Sequence, residues 1–557
     1  MIGRAWVVAA LAGVPVAAAA HGSAAAQDTA PARDTAAARD TAALRGAAVG
    51  RTGGRAEPGG ASLIRGVVIE PRGVFEPGEE AGWIARAAGA LHVTTRRRVI
   101  ERELLFRAGE PFDSARVAET ARNLRALGVF RRVEIDSVRT DSGLVIRVVT
   151  RDGWSTRPLL ELTSTAGQTA WAAGLEEVNL LGNAAYGSLL YSDHPDRTSL
   201  TAVFRQPRLF ANRVSLQAAY QERSDGRFAT LGGGQPFFSL DSRRSVQAGA
   251  TYFDGDVLRF VAGDPTPAAV LRRHHALVRL DAARALAASP GGFVRLGLYA
   301  QLRRDDFLDT SLVRGTPFPH TVTGAAGPYL WLSRASFAVV RNFRSFLREE
   351  DVDLSPTLLV GAYAAPKLFG YERTGVGLQV TAQAGVRTPG GFAAIRAAGT
   401  GLYSAAGLDS GGVRVNATWL VQPARRHAVV LTGQIGWLDN PLPGEEFDLG
   451  LGRGPRAFYA HAFTGDRLIN LTAEYRWTAA EEAWRVLGIG FAAFADYGGA
   501  WFDGSPRRTG GDLGVGLRLG PSRSPDGAIL GLDLARRFAT DRQRAGWVLV
   551  LRKGVRY

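Results

Sequence analysis

From about residue 158 to the C-terminus the sequence alternates apolar and polar residues with a period of two. Val413, Val415, Ala417, Trp419 and Val421 are interleaved by Arg414, Asn416 and Thr418. Val214, Leu216, Ala218 and Tyr220 alternate with Arg213, Ser215, Gln217 and Gln221 flanking them, and Ile469, Leu471, Ala473, Tyr475 and Trp477 alternate with Asn470, Thr472, Glu474 and Arg476. Successive side chains of a strand point to opposite faces, so each segment reads as a strand with one apolar and one polar face. In a soluble sandwich the apolar face turns inward. In a membrane barrel it turns outward to lipid, and the polar set lines the lumen. One strand by itself fits either arrangement.

Three features select the barrel. Trp419, Trp437, Trp477, Trp501 and Trp547 fall near strand ends, where interfacial girdles place aromatic residues. The chain also carries an export signal: Arg4, then the apolar run Val7 to Ala20, then Ala24, Ala25 and Ala26 before Gln27. Residues 1–26 are therefore expected to be a secretory signal peptide, and no other stretch is long and apolar enough for a spanning helix. Finally, the chain ends on an alternating strand, with Trp547, Leu549, Leu551, Val555 and Tyr557 in one register.

Residues 27–61 contain the repeats DTAPAR, DTAAAR and DTAALR, followed by Gly and Pro. Such a composition cannot bury a core and predicts a flexible linker. Residues 62–152 read differently. LIRGVVIE (63–70) is a strand; Thr95 precedes a helix carrying Val99, Ile100 and Leu104; Asp113 caps a second helix with Val117, Ala121, Leu124 and Leu127 on one stripe, and Gly128 ends it. VFRRVEIDSV and LVIRVVT then form a strand pair around Asp141-Ser142-Gly143. Strand, helix, helix, strand, strand describes a small α+β domain.

That order, with GEPF at Gly109–Phe112 and ALGVF at Ala126–Phe130, resembles a POTRA domain, a periplasmic module that binds polypeptides by adding a strand to its sheet edge. The remainder, residues 153–557, resembles the barrel of the BamA/TamA family, also called the bacterial surface antigen superfamily. GLEEVNLLGNAAYG (174–187) is similar to the family's opening motif. LGRGPRAFYAHAFTGDRLINLTAEYRW (451–477) is similar to its signature loop and following strand, with Ala457 in place of the loop glycine. FAAFADYGGAW (491–501) matches its F-x-D-x-G strand at Phe494, Asp496 and Gly498. The resemblance implies an all-β transmembrane barrel of about sixteen antiparallel strands behind one POTRA-like domain. About 400 residues would then leave about 25 for each strand and loop, against the 9–11 that a tilted membrane strand needs. It also implies a lumen lock in which Arg456 and Phe458, on an inward-folded loop, meet Glu474, Asp496 and Gly498. A seam would join the segment Trp171 to Asn179 with the terminal strand at Trp547, Leu549, Leu551, Val555 and Tyr557.

Nothing in the sequence predicts catalysis. Cys 0 removes thiolate chemistry and disulfides, and no G-x-S-x-G, H-E-x-x-H or P-loop occurs. His274 and His275 are neighbours on a strand and face opposite ways, so they are not expected to share a metal. Gly514 and Gly516 sit inside an alternating strand, where they relieve crowding. No cofactor and no metal are expected. The net charge of +15 is almost entirely arginine, because only Lys367 and Lys553 are lysines; it reads as a composition bias and not as a nucleic-acid footprint. The run Arg96-Arg97-Arg98 reads first as a solvated helix start and second as a contact for lipid headgroups or an acidic client.

The expected function is outer-membrane protein assembly, with client strands templated at the seam and received by the POTRA-like domain. The alternatives are a two-partner-secretion-type translocation pore and a surface-antigen barrel with no transport role. Expected partners are unfolded outer-membrane or secreted polypeptides, outer-membrane lipid and accessory assembly proteins. The expected location is the outer membrane, with the α+β domain in the periplasm.

Overall fold

The computed structural model describes residues 62–74, 93–140, 143–165, 167–209, 213–307, 321–344, 346, 349–484, 487–521 and 529–553. The segments expected to be a signal peptide and a linker, and Val555 and Tyr557, lie outside these.

The first unit is built from β1 (Ile64–Arg72), α1 (Arg97–Glu103), α2 (Ser114–Ala126), β2 (Phe130–Thr140) and β3 (Gly143–Asp152). Asp113 accepts the N–H groups of Ala115 and Arg116, which starts α2 as the sequence predicts. β3 lies in the middle of the sheet, parallel to β1 and antiparallel to β2. Ile64, Ile69, Val99, Ile100, Leu124, Ile146 and Val148 form its core, which continues into Val178, Ala184 and Tyr186 at the rim of the second unit. The opposite side of α2 is buried through polar groups. Glu119 accepts the Leu240 N–H at 2.7 Å, Asn123 donates to the Phe238 carbonyl, and Arg125 grips Asp351 with two hydrogen bonds of 3.0 and 3.3 Å.

The second unit is a closed barrel of 20 antiparallel strands, not sixteen. The sixteen came with the resemblance, and chain length alone accommodates either number. Turns as short as Ser224-Asp225 and Pro290-Gly291 use fewer residues than 25 per strand allows. The barrel opens with β4 (Thr156–Thr165), β5 (Gln168–Glu177), β6 (Tyr186–His194) and β7 (Arg197–Leu209), and it closes where Gly546–Lys553 meets β4. The wall is uneven. Arg244–Arg259, Ala269–Ser289 and Gly292–Phe307 run to 16, 21 and 16 residues, whereas Leu530–Arg537 and Gly546–Lys553 have 8 each.

Apolar residues face outward. Val413, Trp419, Leu471, Tyr475, Trp477, Trp547 and Leu549 are all exposed, while Leu420, Val430, Val548 and Val550 on the opposite parity are buried. On Ala269–Ser289 the outward set Ala276, Val278, Leu280 and Ala282 is bounded by His274 and Arg284. Ten residues tilted about 40° give a belt of about 25 Å. Beyond it the outer surface turns ionic: Arg272 pairs with Asp254 at 2.6 Å and Asp256 at 3.3 Å, and Arg304 with Asp306 at 2.8 Å.

Two segments leave the wall and enter the lumen. At the end carrying the α+β unit, Phe337–Arg341 pairs with Glu349–Asp353 to form a hairpin. Its Phe343 packs edge-on against Phe392, 5.4 Å between ring centroids, beside the inward residues Leu420, Ala428 and Val430. At the other end, loop 440–466 folds inward.

Candidate functional site

Loop 440–466 carries two short paired strands, Phe447–Leu449 and Phe463–Gly465, which bring residues 450–462 to the lumen centre. The facing wall makes room for them. The inward parity of Gly510–Pro521 runs Gly510, Asp512, Gly514, Gly516, Arg518 and Gly520. A Cβ at Gly510 would stand 2.5 Å from the Phe458 ring, and one at Gly516 would stand 1.8 Å from Asp533 Oδ1. Gly514 and Gly516 therefore do relieve crowding, as expected.

Arg456 is buried at 3% exposure and engages three carboxylates. Its Nε and Nη2 donate to Asp496 at 2.5 and 3.2 Å, and its Nη1 donates to Glu474 at 3.1 Å and Asp533 at 2.9 Å. The guanidinium lies 3.6 Å from the centre of the Phe494 ring. The bidentate grip on Asp496 and the ring beneath match the planar, forked shape of arginine. Ala457 has ordinary backbone angles and donates its N–H to Asp512 at 3.0 Å, so a glycine is not required there. Phe458 is fully buried against Phe463 and Ala500. Gly498 pairs with Gly510 in the ladder, directly beside the site.

Further side chains complete the centre. Arg476 donates to Glu474 at 2.8 Å, Arg518 to Glu474 at 3.1 Å and to Asp533, and Arg552 to Asp533 at 3.2 Å. Asp512, Asp533, Arg518 and Arg552 were missed by motif reasoning. The alternation contained them all, because each shares the inward parity of its strand.

The loop is also tied to the far side of the barrel. Glu445 accepts from Arg303 at 3.0 Å and Arg273 at 3.3 Å; both arginines also hold Asp305, which meets His275 at 2.9 Å. His274 points the other way, to Asp254, so the two histidines do not converge. A third tie is His461. Its Nε2 lies 3.0 Å from Asp196 and its Nδ1 2.7 Å from Asp448, and its ring stacks on Phe260 at 3.4 Å. Burial alone would lower its pKa, but the charge of Asp448 and the hydrogen bonds to both carboxylates prevail and raise it to about 9. Asp196 shows the converse: burial pushes it up, and the hydrogen bonds from His194 and His461 bring it far below the usual carboxylate range. Between the loop and the wall lies a polar cavity of about 420 Å³ lined by Arg414, Asn416, Thr418, Gln434 and Asn470 among others.

The seam lies one strand away from its expected position. Trp171–Glu177 belongs to β5, the second strand, and it is β4 that closes on Gly546–Lys553. In β4 the neighbours Leu159 and Leu160 are both apolar, one buried and one exposed, which hides the strand's parity in the sequence. Asn179 is not a seam residue. It sits in the turn after β5, donating to the Val93 carbonyl and to Thr95, each at 3.0 Å, and accepting the Ala184 N–H at 2.8 Å. It joins the α+β unit to the barrel. Trp547 and Leu549 point outward on the closing strand, and Leu551 shares their parity. No group of three or more metal-ligating side chains occurs among the described residues.

The molecule is thus a large antiparallel β-barrel with an inward-folded, ion-paired loop and a small α+β unit at one mouth. No family model matches the sequence, and no curated protein does. Among solved structures it is similar to CdiB from Escherichia coli, at 12% identity over 91% of this chain and 92% of that one, TM-score 0.43. It is similar to BamA from Haemophilus ducreyi lacking POTRA domains 1–3, at 12% identity over 89% and 85%, TM-score 0.40. It is also similar to the siderophore receptor PirA from Pseudomonas aeruginosa, at 12% identity over 76% and 86%, TM-score 0.39.

Proposed function

We propose that this chain is a BamA/TamA-type assembly factor of the outer membrane, in which the α+β unit is a POTRA domain that receives unfolded polypeptides and the seam templates their strands. The observation that carries this reading is the occupied lumen. Loop 440–466 is fastened by buried ion pairs to both sides of the barrel, and the hairpin and α2 fill the opposite mouth. A route for a client along the wall needs none of these contacts broken, whereas a route through the lumen needs them all broken. β4 adds a second support. Pro158 withdraws a backbone donor from the closing strand, and proline in sheets is confined largely to edges and irregular pairings. An incompletely paired edge is costly in lipid, so an incoming strand that satisfies it is stabilised there without nucleotide hydrolysis.

Depletion in the native cell tests this directly. Loss of many outer-membrane proteins together is expected. Loss of a single secreted client with the rest unchanged would favour the translocation pore, and no change in either would leave a surface barrel.

A further inference from the structure

Beside the seam, where the α+β unit meets the barrel, lies a surface with no role in the lock. Arg96, Arg97 and Arg98 are all exposed at the start of α1. The Arg96 N–H donates to the Gly182 carbonyl at 2.9 Å and Arg98 donates to Asn183 Oδ1 at 2.8 Å, so the run is pinned to the turn between β5 and β6. Arg97 pairs with Glu101 at 2.9 Å; among the described residues no carboxylate pairs with Arg96 or Arg98. Nearby Glu177 is engaged by Ser155, Thr156 and the Asn179 N–H.

The same turn and the segment before α1 expose apolar side chains: Leu181 of the turn is 69% exposed and Val93 of the segment 47%. Leu181 is held at φ 52°, a conformation costly for a branched residue and maintained only where the surroundings impose it. Leu180 lies over Gly187, whose parity is that of the outward Leu189 and Tyr191. The turn therefore continues the outward apolar belt of β5 and β6 downward, and the arginines begin where the belt ends. Cations immediately below exposed leucine match the boundary between acyl chains and phosphate headgroups.

We infer that Arg96 and Arg98, with Leu181 and Val93, form a binding surface for anionic phospholipid headgroups in the leaflet facing the α+β unit. The inference rests on the membrane placement proposed above. It fixes the height and tilt of the α+β unit beside the seam, because α1 bridges lipid to the barrel rim.

The chain has no cysteine, so Leu181→Cys gives a single attachment point for a bimane fluorophore, with Val93→Cys as a second reporter. The full-length protein is reconstituted in phosphatidylcholine vesicles doped with acyl-brominated phosphatidylglycerol or with the same fraction of acyl-brominated phosphatidylcholine. Preferential quenching by the anionic lipid is expected, about fivefold for each arginine that engages a headgroup. It should shrink in high salt and vanish in the Arg96→Gln, Arg98→Gln double variant. Equal quenching by both lipids from both reporters overturns the proposal, as does a preference that survives the double variant. Protection of the label by a polyglutamate peptide together with equal lipid quenching would assign the surface to an acidic client instead. Absence of quenching by either lipid would refute the membrane placement itself.

Discussion

Removing the guanidinium of Arg456 would leave Asp496, Glu474 and Asp533 facing a buried site without their shared cation. Breaking a buried pair in this way costs about 3–5 kcal/mol, mostly through the charges left behind. Arg456→Ala is therefore expected to lower the temperature at which the compact barrel band is lost on SDS gels. Arg456→Lys should recover only part, since an ammonium cannot reproduce two parallel bonds to Asp496. Asp496→Asn combined with Arg456→Ala should add little to the single loss; fully additive losses would refute the pairing. His461 adds a pH dependence of opposite sense to that of a paired carboxylate. Its folded-state pKa of about 9 lies above the ordinary 6.5, so its contribution is complete below 6.5 and disappears as pH rises through 9. That contribution is on the order of 3 kcal/mol. Thiol labelling of an Ala460→Cys variant, buried beside His461, divided at each pH by the rate of an exposed cysteine to remove thiol ionisation, should accelerate between those values, and His461→Gln should abolish that residual step. At this scale the sequence held more than its motifs revealed. Arg456, Phe458 and Asp496 are legible from the resemblance and Glu474 from the polar parity it shares with Asn470, Thr472 and Arg476, whereas Asp533, Arg518 and Arg552 require that parity to be followed on every strand.

The hairpin of Phe337–Arg341 and Glu349–Asp353 shows why some elements resist reading. FAVVR is a continuous apolar run and EEDVD is mostly acidic, so neither shows the period-two alternation of the wall, and neither pattern says where the pair docks. What places them is tertiary: Arg125 on Asp351, Arg122 over the Phe337 ring at 5.3 Å, and the Arg476 guanidinium donating to the Phe343 carbonyl at 2.5 Å. By contrast, the helices and the three strands of the α+β unit follow local rules of capping and periodicity, and their positions in the chain were readable. Arg476 also holds Glu474, and Glu474 holds Arg456, so the hairpin and loop 440–466 share two adjacent inward residues of Arg467–Ala483. Phe343→Ala is expected to speed labelling of Ala460→Cys even though the two positions do not touch. Arg456→Ala should reciprocally speed labelling of Ala338→Cys in the hairpin. Independence in both directions would show that the segments move separately. β2 is one of the two edges of the α+β sheet, and its last residues are exposed. Val138→Pro removes a donor there and should lower crosslinking to clients while the barrel stays heat-modifiable; unchanged crosslinking from every edge proline would exclude strand addition at β2.

Across the whole molecule, twenty strands enclose a lumen wide enough for an aqueous channel, yet side chains and two inward segments fill it. In planar bilayers the protein is expected to conduct far less than an open barrel of equal strand number, and Arg456→Ala should raise the open probability. A large, steady conductance from the unaltered chain would contradict the filled lumen. The uneven wall has a separate consequence. Near the seam, Leu530–Arg537 has 8 residues and β4 has 10, which reach about 20–25 Å along the barrel axis, against a hydrocarbon layer of about 30 Å. Lipids touching this side must compress or splay to meet it, at fractions of a kcal/mol per Å of mismatch, while those beside Ala269–Ser289 need not. On the membrane placement proposed above, a new strand entering where β4 meets the last strand would cross a shorter apolar distance than one entering beside Ala269–Ser289.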